Sequence, residues 1–202
     1  MPKIKIKSNV FFQIYLAIGL FFTFDLSSEE IKDFSIEVDY SIYLSTHIQN
    51  LIYNLIPKFE IYKAKDLDPI IIKLYEFKTF MPWRPFMAYQ TPTAVIGDFN
   101  GDNKPDLVVS GRNQKEKIVV ALISEKENYR ILEVWKSPLF ENENRIFHYL
   151  TLITPTKISE NKKFNRPEIN LKTDTFVINF FEKSSSIYIY NGNKFISYQL
   201  SD

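Results

Sequence analysis

The sequence predicts an α+β, mainly β fold, in which antiparallel sheets follow one amphipathic helix. Three observations carry that expectation. Between Leu44 and Leu55, apolar residues recur at intervals of three and four, the spacing of one helix face. From Ala94 to Leu200, short apolar or alternating runs of strand length succeed one another. Turn residues separate those runs, above all Asn191-Gly192, the strongest short hairpin signal.

Composition sets the limits. At 202 residues and 23.9 kDa the chain is long enough for one good core, or one domain with an appendage. It is 45% hydrophobic and 24% charged, which marks a globular chain and excludes a disordered one. The formal net charge is +1, and lysines cluster only at the extreme N-terminus, so nucleic-acid binding has no electrostatic footprint. The Cys count is 0. That excludes disulfides, thiolate zinc sites, cysteine nucleophiles and the acylated cysteine of a bacterial lipoprotein.

The first element is an export segment. Lys3, Lys5 and Lys7 precede an apolar run from Val10 to Phe24, which gives way to Ser27-Ser28-Glu29-Glu30. This is the layout of a secretory signal peptide. The run is shorter than the roughly 20 apolar residues of a spanning helix and carries Gln13. No Ala-x-Ala exit is present, and Ser27 and Ser28 are the small residues at hand. Residues 1–28 are therefore expected to be a signal peptide or an uncleaved membrane anchor. A buried first strand of a cytoplasmic protein is the bland alternative, which the lysines disfavour. The protein is expected to be exported (periplasmic, cell-surface or secreted), with membrane attachment through residues 10–24 only if the segment is retained. Cleavage after Ser28 would leave a mature chain near neutral. Residues 29–202 are expected as a single domain, with a helical and irregular part at 29–92 and a β-rich part at 93–202.

Phe34, Ile36 and Val38 alternate with polar residues, as in a half-buried strand. A helix is expected over about 42–56, capped by Asp39 or Ser41 and ended by Pro57. Its face Leu44, Ile48, Leu51 and Leu55 should be buried, with Ile52 beside it and His47 at the boundary. Asp66-Leu67-Asp68-Pro69 then opens a short apolar run: the proline suits a helix's first turn, the β-branched Ile70 to Ile72 suit a strand, and a short helix is the preferred reading. Pro82, Pro85 and Pro92 make the next stretch an irregular connection. Its Phe80, Trp83, Phe86 and Tyr89 suit either an exposed platform for a glycan or peptide or, as their bulk favours, packing over the sheet. Strands are expected at Ala94–Gly97, Asp106–Arg112, Lys117–Ser124, Tyr129–Trp135, Tyr149–Thr154, Asp174–Phe181, Ser186–Tyr190 and Lys194–Leu200. The polar stretch from Ser159 to Pro167 reads as a mobile loop.

One segment carries sharp chemistry: Asp98-Phe99-Asn100-Gly101-Asp102-Asn103-Lys104-Pro105-Asp106. Calcium wants about 6–8 oxygen ligands. Side chains at alternate positions of a tight loop can turn to one centre, which selects Asp98, Asn100 and Asp102. Lys104 would offer its backbone carbonyl, and Asp106 would close the ring. Gly101 relieves the turn. Three carboxylates this close would repel one another without a cation. An EF-hand is excluded, since that motif needs glycine at position 6 and glutamate at position 12, and those places hold Asn103 and Val109. The bland alternative is an Asn-Gly hairpin with solvated acids. The turn at Tyr190-Asn191-Gly192-Asn193 uses the same dipeptide without an aspartate, so the dipeptide explains the turn and not the acids.

The stretch GDFNGDNKPDLVVSG resembles an FG-GAP or VCBS-type repeat, the calcium-binding unit of β-propeller blades. The resemblance implies a cation held by Asp98, Asn100, Asp102 and Asp106, with the Lys104 carbonyl completing the loop. A closed propeller typically takes 4–8 four-stranded blades, and the strands here suffice for roughly two. Antiparallel blade-like sheets are thus expected, as an incomplete propeller-like or sandwiched arrangement with the helix packed on it.

Enzyme chemistry has little support. The 5 glycines form no phosphate-cradling pattern, and no Gly-x-Ser-x-Gly elbow occurs. His47 and His148 are too few and too far apart for a facial metal site. The expectation is an exported calcium-binding structural or interaction module, with a protein or glycan partner unspecified. A secreted hydrolase with a structural calcium and a membrane-tethered interaction protein are the alternatives.

Overall fold

The apolar runs at 94–97, 107–109 and 118–122 lie side by side in a computed structural model, which describes residues 34–36, 42–73, 90–140 and 145–202. Residues 1–28, Val38 and the aromatics Phe80, Trp83, Phe86 and Tyr89 lie outside the described residues. Strands β1 (Phe34–Ile36) and β2 (Ile42–Leu44) pair with each other. Helix α1 (Thr46–Leu55) follows, then β3 (Glu60–Ile61). The chain next enters β4 (Gln90–Thr91), β5 (Ala94–Gly97), β6 (Asp106–Arg112), β7 (Glu116–Glu125) and β8 (Asn128–Pro138). It continues with β9 (His148–Ile153), β10 (Lys157–Ile158), β11 (Ile169–Asn170), β12 (Thr175–Phe180), β13 (Ser184–Tyr190) and β14 (Phe195–Ser201).

Two antiparallel sheets dominate. The first has the order β4-β5-β6-β7-β8, with β3 pairing to the far end of β6 beyond the reach of β5. The second has the order β14-β13-β12-β9. Both are open sheets, so the fold is mainly β and antiparallel. Residues 31–202 form one unit.

The layers explain the strand sequences. One face of the first sheet (Ala94, Ile96, Leu107, Val109, Val120) packs against Ile48, Ile52 and Ile56 of the helical segment. Its other face (Val95, Val108, Val119, Ala121, Ile123) packs against Leu150, Phe176, Ile178 and Tyr188 of the second sheet. A sheet covered on both faces needs near-continuous apolar strands, because every side chain lands in a dry layer. Leu107 to Val109 and Ile118 to Ile123 are such runs, all buried. The outer face of the second sheet is covered by the small β10–β11 ribbon through Ile158, Ile169 and Leu171.

Two expectations are corrected. The helix begins later than expected: Ser45 is its N-cap, its Oγ accepting from Ile48 N at 3.3 Å, and Leu44 belongs to β2. The buried line is Ile48, Ile52 and Ile56, whereas Leu51 is half-buried and Leu55 is 52% exposed. The reversal at Pro57-Lys58, where Lys58 takes φ 61, swings Ile56 and Phe59 into the space Leu55 was expected to fill. The stretch expected to be a mobile loop is built instead. It holds a 3-10 turn at Lys162–Phe164, and the buried Arg166 guanidinium donates to Gln199 O at 2.9 Å and to Ser159 O at 3.2 Å. Long-range bonds of this kind leave no apolar trace in the local sequence.

Candidate functional site

The β5–β6 turn is folded around its own side chains. Asp98 Oδ1 accepts from Gly101 N at 2.6 Å and Asp102 N at 3.1 Å, and Asp98 Oδ2 accepts from Asn103 N at 2.9 Å. Gly101 at φ 80 and Asn103 at φ 62 adopt the left-handed conformation that glycine and asparagine tolerate best. That conformation turns successive N–H groups inward. Asn100 Oδ1 shares the Asp102 N–H at 3.0 Å, while Asn100 Nδ2 donates to Ser124 O at 2.8 Å. Asp102 Oδ1 accepts from Lys104 N at 2.9 Å, and Ser124 Oγ donates to the same carboxylate at 3.1–3.2 Å. The Lys104 ammonium reaches away, donating to Lys126 O at 2.8 Å.

Asp106 sits beneath the turn. It is 0% exposed. Its Oδ2 accepts from Phe99 N at 2.8 Å and Asn100 N at 3.3 Å, and its Oδ1 accepts from Ser124 N at 2.7 Å. Burial lifts its carboxyl to about 6, against the pull of those hydrogen bonds. Among the described residues, no salt bridge includes Asp106.

Of the five residues singled out in the sequence, Asp98, Asn100 and Asp102 are tied together through shared N–H donors. Asp106 braces them from below, and Lys104 contributes backbone. Among the described residues, no group of three acidic or imidazole side chains stands close enough to hold a metal. The donor chemistry does fit a hard cation, since carboxylate, amide, hydroxyl and backbone oxygens surround the turn and no nitrogen or sulfur ligand does. Ser124 and Asp174 are additions that sequence reasoning missed. Asp174 Oδ2 accepts from Asp98 N at 3.0 Å. Ser124 stands near the end of β7, beside the turn into β8. Asp174 lies 76 positions from its partner, and no local pattern announces it.

A second polar pair lies deep in the fold. Ser110 Oγ and His148 Nε2 are 2.7 Å apart. Trp135, Phe180 and Tyr62 rings surround the imidazole at 5.5–6.1 Å, and both partners are buried. Burial chiefly, and the Lys117 charge secondarily, depress the imidazole to about 3. This is a satisfied core histidine: each polar atom of the contact has the other as partner. His47 is exposed on α1.

No protein-family model, curated protein or solved structure matches the chain. Among the described residues, no helix is long and apolar enough to cross a membrane.

Proposed function

We propose that the chain is an exported, calcium-binding structural or interaction module of the FG-GAP/VCBS kind, its two antiparallel sheets standing as blade-like sheets of an incomplete propeller. Calcium would be held by Asp98, Asn100 and Asp102, with the Lys104 carbonyl and Asp106 completing the set. A bound ion would supply positive charge to the carboxylates of the turn. The chain's own part is to hold the Asp98 and Asp102 carboxylates in the turn through the N–H groups of Gly101, Asn103 and Lys104, and to fix the loop on β7 through Ser124. The observation that carries this reading is Asp106: a fully buried carboxylate, outside any salt bridge among the described residues, under a turn bearing two more. The three N–H donors offset that burial only in part, since the carboxyl is still lifted to about 6, and a nearby cation would favour its charged form.

Isothermal calorimetry of chelator-treated protein tests it. Saturable calcium binding near one equivalent, lost in Asp98→Ala and Asp102→Ala, is the expected result. No heat at millimolar calcium would sink the reading and leave the turn an acidic hairpin. Export rests on the lysines and apolar run of residues 3–24. Mass spectrometry of the mature N-terminus checks it, a start near Glu29 being expected.

A further inference from the structure

At the opposite end of β6 from Asp106, two cavities of about 740 and 540 Å³ flank Arg112. Both are lined by Tyr53, Phe59, Glu60 and Arg112, so they are two lobes of one groove with the Glu60–Arg112 pair between them. Its floor is fixed. Phe59 is 2% exposed, and Gly111 lies so close that an added Cβ would meet Glu60 O at 2.4 Å and the Phe59 ring at 2.5 Å.

The lining has one dominant sign. Lys58, Lys63, Lys65 and Arg112 face the lobes against Glu60 and Asp66. Asp66 Oδ2 already accepts the Lys63 backbone N–H at 2.8 Å, and Glu60 lies a loose 3.9 Å from Arg112. Among the described residues the three lysines enter no ion pair. The Arg112 guanidinium rests 6.0 Å over the Tyr62 ring, with its side chain 40% exposed. Tyr43 and Tyr53, 52% and 44% exposed, offer ring faces with a hydroxyl at the tip.

We infer that this groove binds an anionic oligosaccharide, its carboxylate or sulfate groups on Arg112 and the lysines and its sugar rings against Tyr43 and Tyr53. Cations supply charge-assisted bonds to the anions, and the side-chain amides of Gln49 and Gln114 suit sugar hydroxyls. The volume lies in the range of small-molecule sites, roughly 300–1,000 Å³ per lobe. The inference is independent of the calcium reading, since the two sites sit at opposite ends of β6.

The test is titration of the full chain with oligogalacturonate (carboxylated), dextran sulfate oligomer (sulfated), neutral dextran and a polyglutamate peptide, each in calcium and in chelator. Saturable binding of at least one anionic saccharide is expected, weakening with salt, unchanged by chelator and absent with neutral dextran. Which of the two anionic saccharides binds identifies the anion. Arg112→Gln should weaken binding about tenfold, and Tyr53→Ala several-fold, with melting curves kept because both side chains are well exposed. If Arg112→Gln fails to fold, the Lys63→Gln/Lys65→Gln double variant takes its place. Failure of both anionic saccharides to bind, binding indifferent to these substitutions, or equally tight polyglutamate binding would overturn the inference.

Discussion

Asp98 and Asp174 exchange hydrogen bonds across the two sheets: Asp98 N donates to Asp174 Oδ2 at 3.0 Å, and Asp174 N donates to Asp98 O at 3.1 Å. The start of the acidic turn is thereby clamped to the segment leading into β12. Asp174→Ala should cost about 1–2 kcal/mol, the usual result of orphaning a part-buried N–H. Asp174→Asn, which keeps an acceptor, should cost less. Urea melts of the two variants check this, and equal costs would show that the side-chain bond contributes nothing.

Asp102 gives the calcium test its sharpest variant, because its carboxylate is exposed and its loss disturbs little packing. At calcium 100 times its dissociation constant, the wild type should gain about 2.7 kcal/mol, or several degrees in melting temperature. Asp102→Ala should lose that gain while its melt in chelator shifts only modestly. Magnesium should substitute poorly, since it demands a smaller octahedral shell.

Asp106→Ala is expected to behave differently, with a large penalty even in chelator. Removing the carboxylate orphans the N–H groups of Phe99, Asn100 and Ser124 together. At about 1–3 kcal/mol for each unsatisfied buried donor, a total of several kcal/mol follows. A denaturation midpoint within experimental error of wild type would rule out the bracing role.

The acid response of the fold combines two opposed groups. His148 titrates near 3 when folded and at 6.5 in the reference state. Between those values the unfolded chain binds more protons, so stability falls as pH falls. Asp106 is raised from 3.8 to about 6, so its contribution is present below pH 3.8 and lost as pH rises through 6. The two slopes oppose each other over that interval. In chelator the wild-type melting temperature should therefore vary weakly between those pH values, whereas Asp106→Asn should melt steadily higher as pH rises. Scanning calorimetry of both proteins across the interval decides it, and a flat profile for the variant would remove His148 from the account.

Ile52 and Leu55 separate the observed helix face from the one read in the sequence. Ile52→Ala should cost about 2–5 kcal/mol, as a fully buried truncation does. Leu55→Ala, at a 52% exposed site, should stay within about 0.5 kcal/mol. Equal effects would contradict the placement of α1 on the sheet.

That pair also shows why the helix was legible and its buried edge was not. A three-and-four spacing locates a stripe, but Leu51, Ile52 and Leu55 all satisfy it, and only the sheet beneath selects among them. The strands fared better. The ends of β5 and β6 at Ala94, Gly97, Asp106 and Arg112 are where the sequence placed them, because Gly, Pro and Asn punctuate runs that must be apolar throughout. Within the acidic turn, alternation singled out Asp98, Asn100 and Asp102, whose side chains accept the turn's own N–H groups. Asp174 and Arg166 were not, since each acts on carbonyls or N–H groups far away in the chain and a single sequence records no such pairing.

The double covering of the first sheet has a consequence for how its strands find their alignment. In most half-buried sheets a slip by one residue is forbidden because it turns oily side chains to water. Here Leu107 and Val109 face one dry layer and Val108 the other, so a slipped β6 would still present hydrocarbon on both sides. The information that forbids the slip must then sit at the strand's two ends. Asp106 can meet the N–H groups of Phe99 and Ser124 in one alignment only. Gly111 is the residue that can pass the Glu60 carbonyl, where any neighbour moved into its place would bring a Cβ to 2.4 Å. A strand built of interchangeable valines and leucines is thus indexed by one aspartate and one glycine.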